Sequence, residues 1–357
     1  MQESKSSYFS EYIFMNGDQE VGKIVRGYLE IFRGREHLTP LCFSQCCWPV
    51  QKWAETRVID STRANSRLVK QLVGLKEMDD ISTLYANHAV SLTDSYWIRT
   101  SDENLTWDQV KPNSDKLFDV ALHGKIPQDL KFDPRVDITP ELTNTGSFDK
   151  AWMKTKDGWV YVKSSSKYQN LAEVLISRIG KLMGMDMLEY KLSGDGTCTL
   201  SKDFTKGVYN FEPASYLVDD DQDFQLNFFI FERYSPEIAR QYIDILFLDA
   251  IIVNPDRHTN NYGMLRDRRT GEVIKLAPNY DNNLSDLGQL PRNRLTTIMM
   301  GELKQFLMSC RMPYYPPYLR YEELLHEVED VYKNTDQDPK YIADMIHTNY
   351  LAFWGLN

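Results

Sequence analysis

The stretch Asn254-Pro255-Asp256-Arg257-His258-Thr259-Asn260-Asn261 decides how this chain is read. It follows a strongly apolar helical run, and Ala277-Pro278-Asn279-Tyr280-Asp281 comes after it. Asp256 and Asn261 stand five residues apart, and Asp281 lies twenty residues beyond Asn261, behind the strand-like segment 272–276. Magnesium-dependent phosphoryl transfer needs a carboxylate to orient the acceptor hydroxyl, plus an amide and a second carboxylate to hold the metal on nucleotide phosphates. Asp256 offers the first, and Asn261 and Asp281 the metal ligands. A lone loop Asp would read as a solvated residue or an Asx turn. Its companions change that balance, because an amide oxygen and a full carboxylate suit a hard cation. His258 has two readings: a donor to phosphate that titrates near neutral pH, or a residue that orients the loop through backbone hydrogen bonds. Its place two residues from the base favours the second.

Upstream, Lys163 ends the strand-like run Trp159-Val-Tyr-Val-Lys163, and Glu173 falls on the helix after it. A strand-borne lysine held by a helix glutamate is how a kinase reaches nucleotide phosphates. The small-residue turn 143–150 carries Gly146 and Ser147, and its backbone N–H groups suit a phosphate-covering role. It has one glycine and no GxGxxG pattern. Ser147 also reads as a phosphorylation site.

The totals narrow the class. At 357 residues the chain buries a sizeable core and divides into two or three lobes. Hydrophobic content of 42% with 26% charged residues is that of a globular chain. A formal charge of -10 gives no global field for a polyanion, so nucleic acid is not expected as a direct ligand. Residues 1–8 are polar and lack a secretory pattern, and the apolar run 243–253 is broken by Asp244 and Asp249. No membrane role is expected, and the cytosol is the expected compartment. Five cysteines make no disulfide framework, and Cys42, Cys46 and Cys47 lack the spacing of a zinc site. The acidic run 219–223 reads as a solvated loop.

Periodicity supplies the rest. Residues 67–88 carry Leu68, Leu72, Val73, Leu75, Met78, Ile81, Leu84 and Tyr85 at helical spacing, and 91–98 alternate into an aromatic strand. A polar connection over 125–140 separates this region from the remainder of the chain. From Leu142 the pattern is strand, turn at Asp157-Gly158, strand, then an amphipathic helix over about 170–183. Strand-like pieces come next, at 187–192 and 198–204. Ser235-Pro236 starts a helix that is apolar nearly all round to Val253, and 301–357 are helices punctuated by Pro313, Pro316 and Pro317. The expected fold is α+β and bilobal: an accessory α/β region over 1–135, a strand-rich lobe over 136–204 and a helical lobe over 205–357.

These residues resemble the HipA-type serine/threonine kinases, whose fold is related to the phosphoinositide kinases. The resemblance spans residues 142–285 and rests on Asp256-x-His-x-x-Asn261 and Pro278-Asn-Tyr-Asp-Asn-Asn-Leu-Ser285, which has one extra residue before its serine. It implies ATP and Mg2+ as cofactors, Lys163 and Glu173 at the nucleotide, an adenine-binding linker over 200–204 with Lys202 and Phe204, and a regulatory, self-modified serine at about Ser147. It implies a protein substrate bearing a Ser or Thr hydroxyl. The Ser91-Leu-Thr-Asp-Ser-Tyr-Trp97 segment is more similar to divergent HipA-like proteins of Gram-positive bacteria. An antitoxin-like partner is a family trait that these residues do not derive.

Two other readings compete. A lipid or small-molecule kinase shares the Asp-Arg-His-x-x-Asn loop, but usually follows it with Ile-Asp-Phe-Gly where this chain has Asn279-Tyr-Asp-Asn282. A non-catalytic nucleotide-binding pseudokinase would be expected to lack one of Lys163, Asp256, Asn261 or Asp281, and all four are present.

Overall fold

The computed structural model describes residues 11–59, 62–76, 78–218, 223–285, 287 and 295–355. Residues 1–8 and most of the acidic run 219–223 lie outside them. Compactness divides the chain into two units, each built from segments distant in sequence. The first runs up to Lys154 and adds residues 205–212 and 266–272; the second comprises 155–204, 213–265 and 273 onward.

The first unit opens with β1 (Tyr12–Asn16), β2 (Gln19–Val25) and β3 (Tyr28–Ile31), followed by α1 (Leu41–Ser44), α2 (Val50–Glu55), α3 (Ser66–Leu72) and α4 (Asp80–Ala86). Then come β4 (Tyr96–Thr100), α5 (Trp107–Val110), α6 (Phe118–His123) and β5 (Lys150–Thr155). The first four strands form an antiparallel sheet in the order β3-β2-β1-β4. Phe14 on β1 packs edge-on against Phe43 and Trp53, and all three are buried.

Two segments depart from their sequence pattern. The helical periodicity over 67–88 is split, because Gly74 takes φ 77° after α3 and the Asp79 carboxylate caps α4 by accepting from Ser82 N at 2.9 Å. The alternating stretch 91–98 becomes strand only at Tyr96. Its first half is a polar turn instead: Ser91 and Thr93 hydroxyls pair at 3.0 Å, and Asp94 accepts from Tyr96 N at 2.9 Å and from Arg57 at 2.7 Å. Short side chains that bond their own backbone compete with strand pairing.

In the second unit, β6 (Gly158–Ser164) leads into α7 (Lys167–Leu182), then β7 (Tyr190–Leu192) and β8 (Cys198–Lys202). These strands pair antiparallel in the order β6-β8-β7. A capping box explains where α7 starts: the Ser166 side chain accepts from Gln169 N, and the Gln169 side chain accepts from Ser166 N at 3.1 Å. After β9 (Tyr209–Pro213), most of which belongs to the first unit, come α8 (Phe224–Glu232), α9 (Pro236–Ile252), β10 (Gly263–Asp267), whose last two residues return to the first unit, and β11 (Val273–Leu276). The chain closes with α10 (Leu295–Ser309), α11 (Tyr321–Tyr332) and α12 (Pro339–Phe353).

Helix α9 is the axis of this unit. Ser235 caps it by accepting from Ile238 N at 3.1 Å, Pro236 occupies its first turn, and Ile243, Phe247, Leu248 and Ile251 are buried. It packs against α8, α10, α12 and β11. It ends at Val253 in the left-handed region, φ 55°, where a β-branched side chain is disfavoured. That turn swings the chain into the Asp256 loop.

Candidate active site

Four elements of the second unit converge on one cluster. Lys163 lies on β6 opposite Thr199 of β8. Its ammonium is ion-paired with the Asp281 carboxylate and stands 3.8 Å from Glu173 Oε2 on α7. Glu173 is fully enclosed, with Oε1 accepting from Asn282 N at 2.8 Å and Oε2 making no hydrogen bond. Burial lifts its carboxyl above the ordinary value; the Lys163 charge pulls it down and the Asp281 charge pushes it up again.

Asp281 has φ 61°, a left-handed conformation that costs a non-glycine residue about 1–2 kcal/mol and that Asp tolerates better than most. Neighbours hold it there. Its N–H donates to the Tyr190 hydroxyl at 3.3 Å, the next N–H to Glu173, and the carbonyl before it accepts from Arg257 at 3.0 Å. Phe204 stacks on Tyr280 at 5.7 Å, at the same turn.

Arg257 organises the Asp256 loop. Its buried guanidinium forms a two-pronged pair with Asp249 of α9, both contacts at 2.8 Å. The remaining donors reach Asn261 O and Tyr280 O at 3.0 Å, Asn279 Oδ1 at 3.1 Å and Asn282 Oδ1 at 2.6 Å. One planar fork thus ties α9, the Asp256–Asn261 loop and the Asp281 turn together. Within the loop, Asp256 N donates to Asn254 Oδ1 at 3.2 Å and Asn261 Nδ2 to Asp256 O at 3.0 Å. His258 Nδ1 accepts from Asn260 N at 3.2 Å, and its carbonyl accepts from Asn261 N at 2.8 Å, so the imidazole and backbone of His258 shape the loop.

Lys163, Glu173 and Asp281 are therefore brought into one contact group, and Asp256, His258 and Asn261 share a loop that Arg257 ties to the Asp281 turn. Lys202 is not brought in. It pairs with Val160, three residues from Lys163, so strand alternation puts its exposed side chain on the opposite face of the sheet. Gly146 and Ser147 belong to the first unit, on an exposed turn where Gly146 has φ 92° and the Lys150 ammonium lies against it. Sequence reading missed Arg257, Asp249, Tyr190 and Asn282. Asp249 did leave a signal, since a carboxylate inside an apolar helix requires a partner.

The donor set suits magnesium with nucleotide phosphates. Asn261 is buried and commits its amide nitrogen to the Asp256 carbonyl, so that its Oδ1 is the atom that could serve as a ligand, and the Asp281 side chain is 33% exposed. Oxygen ligands of this kind, few in number, match a hard cation that completes its shell with phosphate and water.

A solved structure shares the fold of this chain. No protein-family model matches the sequence, and no curated protein matches it. Among solved structures, HipA in the Shewanella oneidensis MR-1 toxin–antitoxin complex of HipA, HipB and operator DNA superposes with a TM-score of 0.58. That alignment covers 96% of each chain at 12% identity. The Helicobacter pylori proinflammatory kinase CtkA aligns over 58% of this chain and 90% of its own, at 14% identity and a TM-score of 0.39. The chain has a mixed α/β, kinase-like fold, shared with HipA over nearly its whole length.

Proposed function

We propose that this protein is an ATP- and Mg2+-dependent serine/threonine kinase of HipA type, acting in the cytosol on a protein hydroxyl. The observation that carries this reading is the joining of Lys163, Glu173 and Asp281 in one contact group, with Arg257 tying the Asp281 turn to the Asp256–Asn261 loop. Lys163 holds nucleotide phosphates and Glu173 fixes Lys163. Asn261 and Asp281 are the residues that would hold magnesium, which when bound neutralises phosphate charge. Asp256 orients the acceptor hydroxyl, so that the chain contributes positioning and electrostatic stabilisation. Phe204 borders the adenine. His258 holds the loop in shape.

Intact-mass measurement after incubation with ATP and Mg2+ tests this, with Asp256→Asn alongside. The parent gains phosphate and the variant does not, and peptide mapping places the phosphate on or near Ser147. Equal gain in both removes Asp256 from the role assigned to it. No gain in either, together with no transfer to added protein acceptors, moves the assignment to a small-molecule kinase or a nucleotide-binding scaffold.

A further inference from the structure

A cavity of about 480 Å3 lies beside α7, away from the groups assigned to phosphoryl transfer. Lys167, Leu171, Val174 and Arg178 line it, spaced i, i+4, i+7 and i+11, so they form one face of α7. Glu173 stands roughly 100° around the helix from Val174. The end of α11 and the loop after it form a second wall, and the turn between β7 and β8 a third.

The lining combines an apolar floor with unbalanced positive charge. Leu171, Val174, Tyr190, Leu192 and Val331 supply the floor, and Lys167, Arg178, Lys191 and Lys333 supply the charge. The two lining carboxylates are already engaged. Asp195 accepts from Ser193 Oγ at 2.6 Å and from Thr197 N at 3.1 Å, and Asp330 accepts from Arg178 at 2.7 Å and Lys333 at 3.1 Å. Arg178 also reaches Glu327 at 2.9 Å. Lys167 donates to a backbone carbonyl, Asn334 O, at 2.9 Å, and Lys191 has no ion-pair partner among the described residues. The cavity thus presents two ammonium groups outside any ion pair among the described residues, above a greasy floor.

Tyr190 joins this cavity to the candidate active site. Its side chain lines the cavity, while its hydroxyl accepts from Asp281 N at 3.3 Å, next to the Asn282 N–H that donates to Glu173. Whatever presses on that ring presses on the turn that carries Asp281. We propose that the cavity binds a small amphipathic anion, an apolar body with one carboxylate, sulfonate or phosphate, and that Tyr190 and α7 pass its occupancy to Lys163, Glu173 and Asp281. Binding stands on the cavity alone; the regulatory consequence rests on the kinase reading.

The probe is 8-anilinonaphthalene-1-sulfonate, an aromatic sulfonate whose fluorescence reports burial. Two variants address the cavity. Gly194→Trp adds bulk where a side chain meets open space and φ is not left-handed. Lys191→Glu reverses an exposed charge on the rim. Saturable binding by the parent is expected, weakened about tenfold or more in both variants while their thermal melts match the parent. Saturating probe is expected to change the calorimetric affinity for Mg·ADP about fivefold, and Mg·ADP to change probe affinity by the same factor. Probe affinity equal in all three proteins overturns the site. Stoichiometric displacement of the probe by Mg·ADP places it in the nucleotide site and also overturns the proposal. Unchanged Mg·ADP affinity with the probe bound overturns the coupling. Failure of the parent to bind Mg·ADP would count against the kinase reading, while the two variants would still decide the cavity.

Discussion

At the scale of single residues, Arg257 has the largest expected consequence. Its guanidinium is buried, faces a buried carboxylate and spends its donors on four different residues besides Asp249. Arg257→Met would leave Asp249 uncompensated, and breaking a buried pair in this way costs about 3–5 kcal/mol. Arg257→Lys keeps the charge but loses the fork, so it separates positioning from bulk stability. Urea unfolding should show a smaller loss for the lysine variant than for the methionine one. Phosphoryl transfer by Arg257→Lys should still fall about tenfold or more, because the Asp256–Asn261 loop and the Asp281 turn lose their common tie. A lysine variant that transfers phosphate at the parental rate would show that the fork does not position the loop.

At the scale of elements, the turn that carries Ser147 is held at its base by a buried pair. Arg63 donates to Ala121 O at 2.9 Å and to Lys150 O, and it lies 3.8 Å from Glu141. Glu141 accepts from Trp152 N at 2.8 Å and from Asn144 Nδ2 at 3.0 Å, so both ends of the turn are pinned to one carboxylate. Burial lifts the Glu141 carboxyl from 4.5 to about 7, against the pull of the Trp152 N–H, Arg63, Asn144 and Lys150. The folded state therefore keeps a proton that the unfolded state has released between those two values. Stability from this group is fully present below about 4.5 and is lost as pH rises towards 7, a swing of up to about 3 kcal/mol. Glu141→Gln does not titrate, so its melting temperature relative to the parent should improve by several degrees from pH 5 to pH 8. An offset that is the same at both pH values would show that Glu141 does not titrate in this range.

Elements are also where the sequence was most and least legible. Ser235-Pro236 announced α9, and the Asp157-Gly158 turn separated β5 from β6, because caps and turns act within a few residues of their signal. The order of Lys163, Glu173, Asp256, Asn261 and Asp281 was readable because each sits on or beside an element with its own local pattern. Arg257 was hidden inside the motif it organises: its partners lie up to 25 residues away, and nothing local names them. Tyr190 gave no sign at all, since a tyrosine in a strand is ordinarily packing. The break in 67–88 came from the conformation of Gly74, which periodicity does not register.

At the scale of the whole molecule, the chain enters the first unit three times, and the two returns are bonded into it through buried polar groups. Glu212, on the first return, accepts from Leu41 N at 2.7 Å and from the Tyr96 hydroxyl at 2.6 Å. Arg266, on the second, donates to that same glutamate at 2.6 Å and to Thr39 O and His37 O at 2.8 and 2.7 Å. Asn210 accepts from Ser95 N at 2.8 Å. Such groups are inexpensive only while all are satisfied; each one left buried and unpaired costs about 1–3 kcal/mol, and more when charged. Removing residues 1–135 would leave Glu212 and Arg266 with only each other of these partners and take Ser95 from Asn210, all at once, although the candidate active-site residues are all retained. The shortened chain should therefore express as aggregates or melt without a cooperative transition, and the accessory region is part of what lets the rest fold. A soluble shortened chain melting cooperatively within a few degrees of the parent would show instead that residues 1–135 are a separable module. Phosphoryl transfer measured on such a chain would then locate the whole activity beyond residue 135.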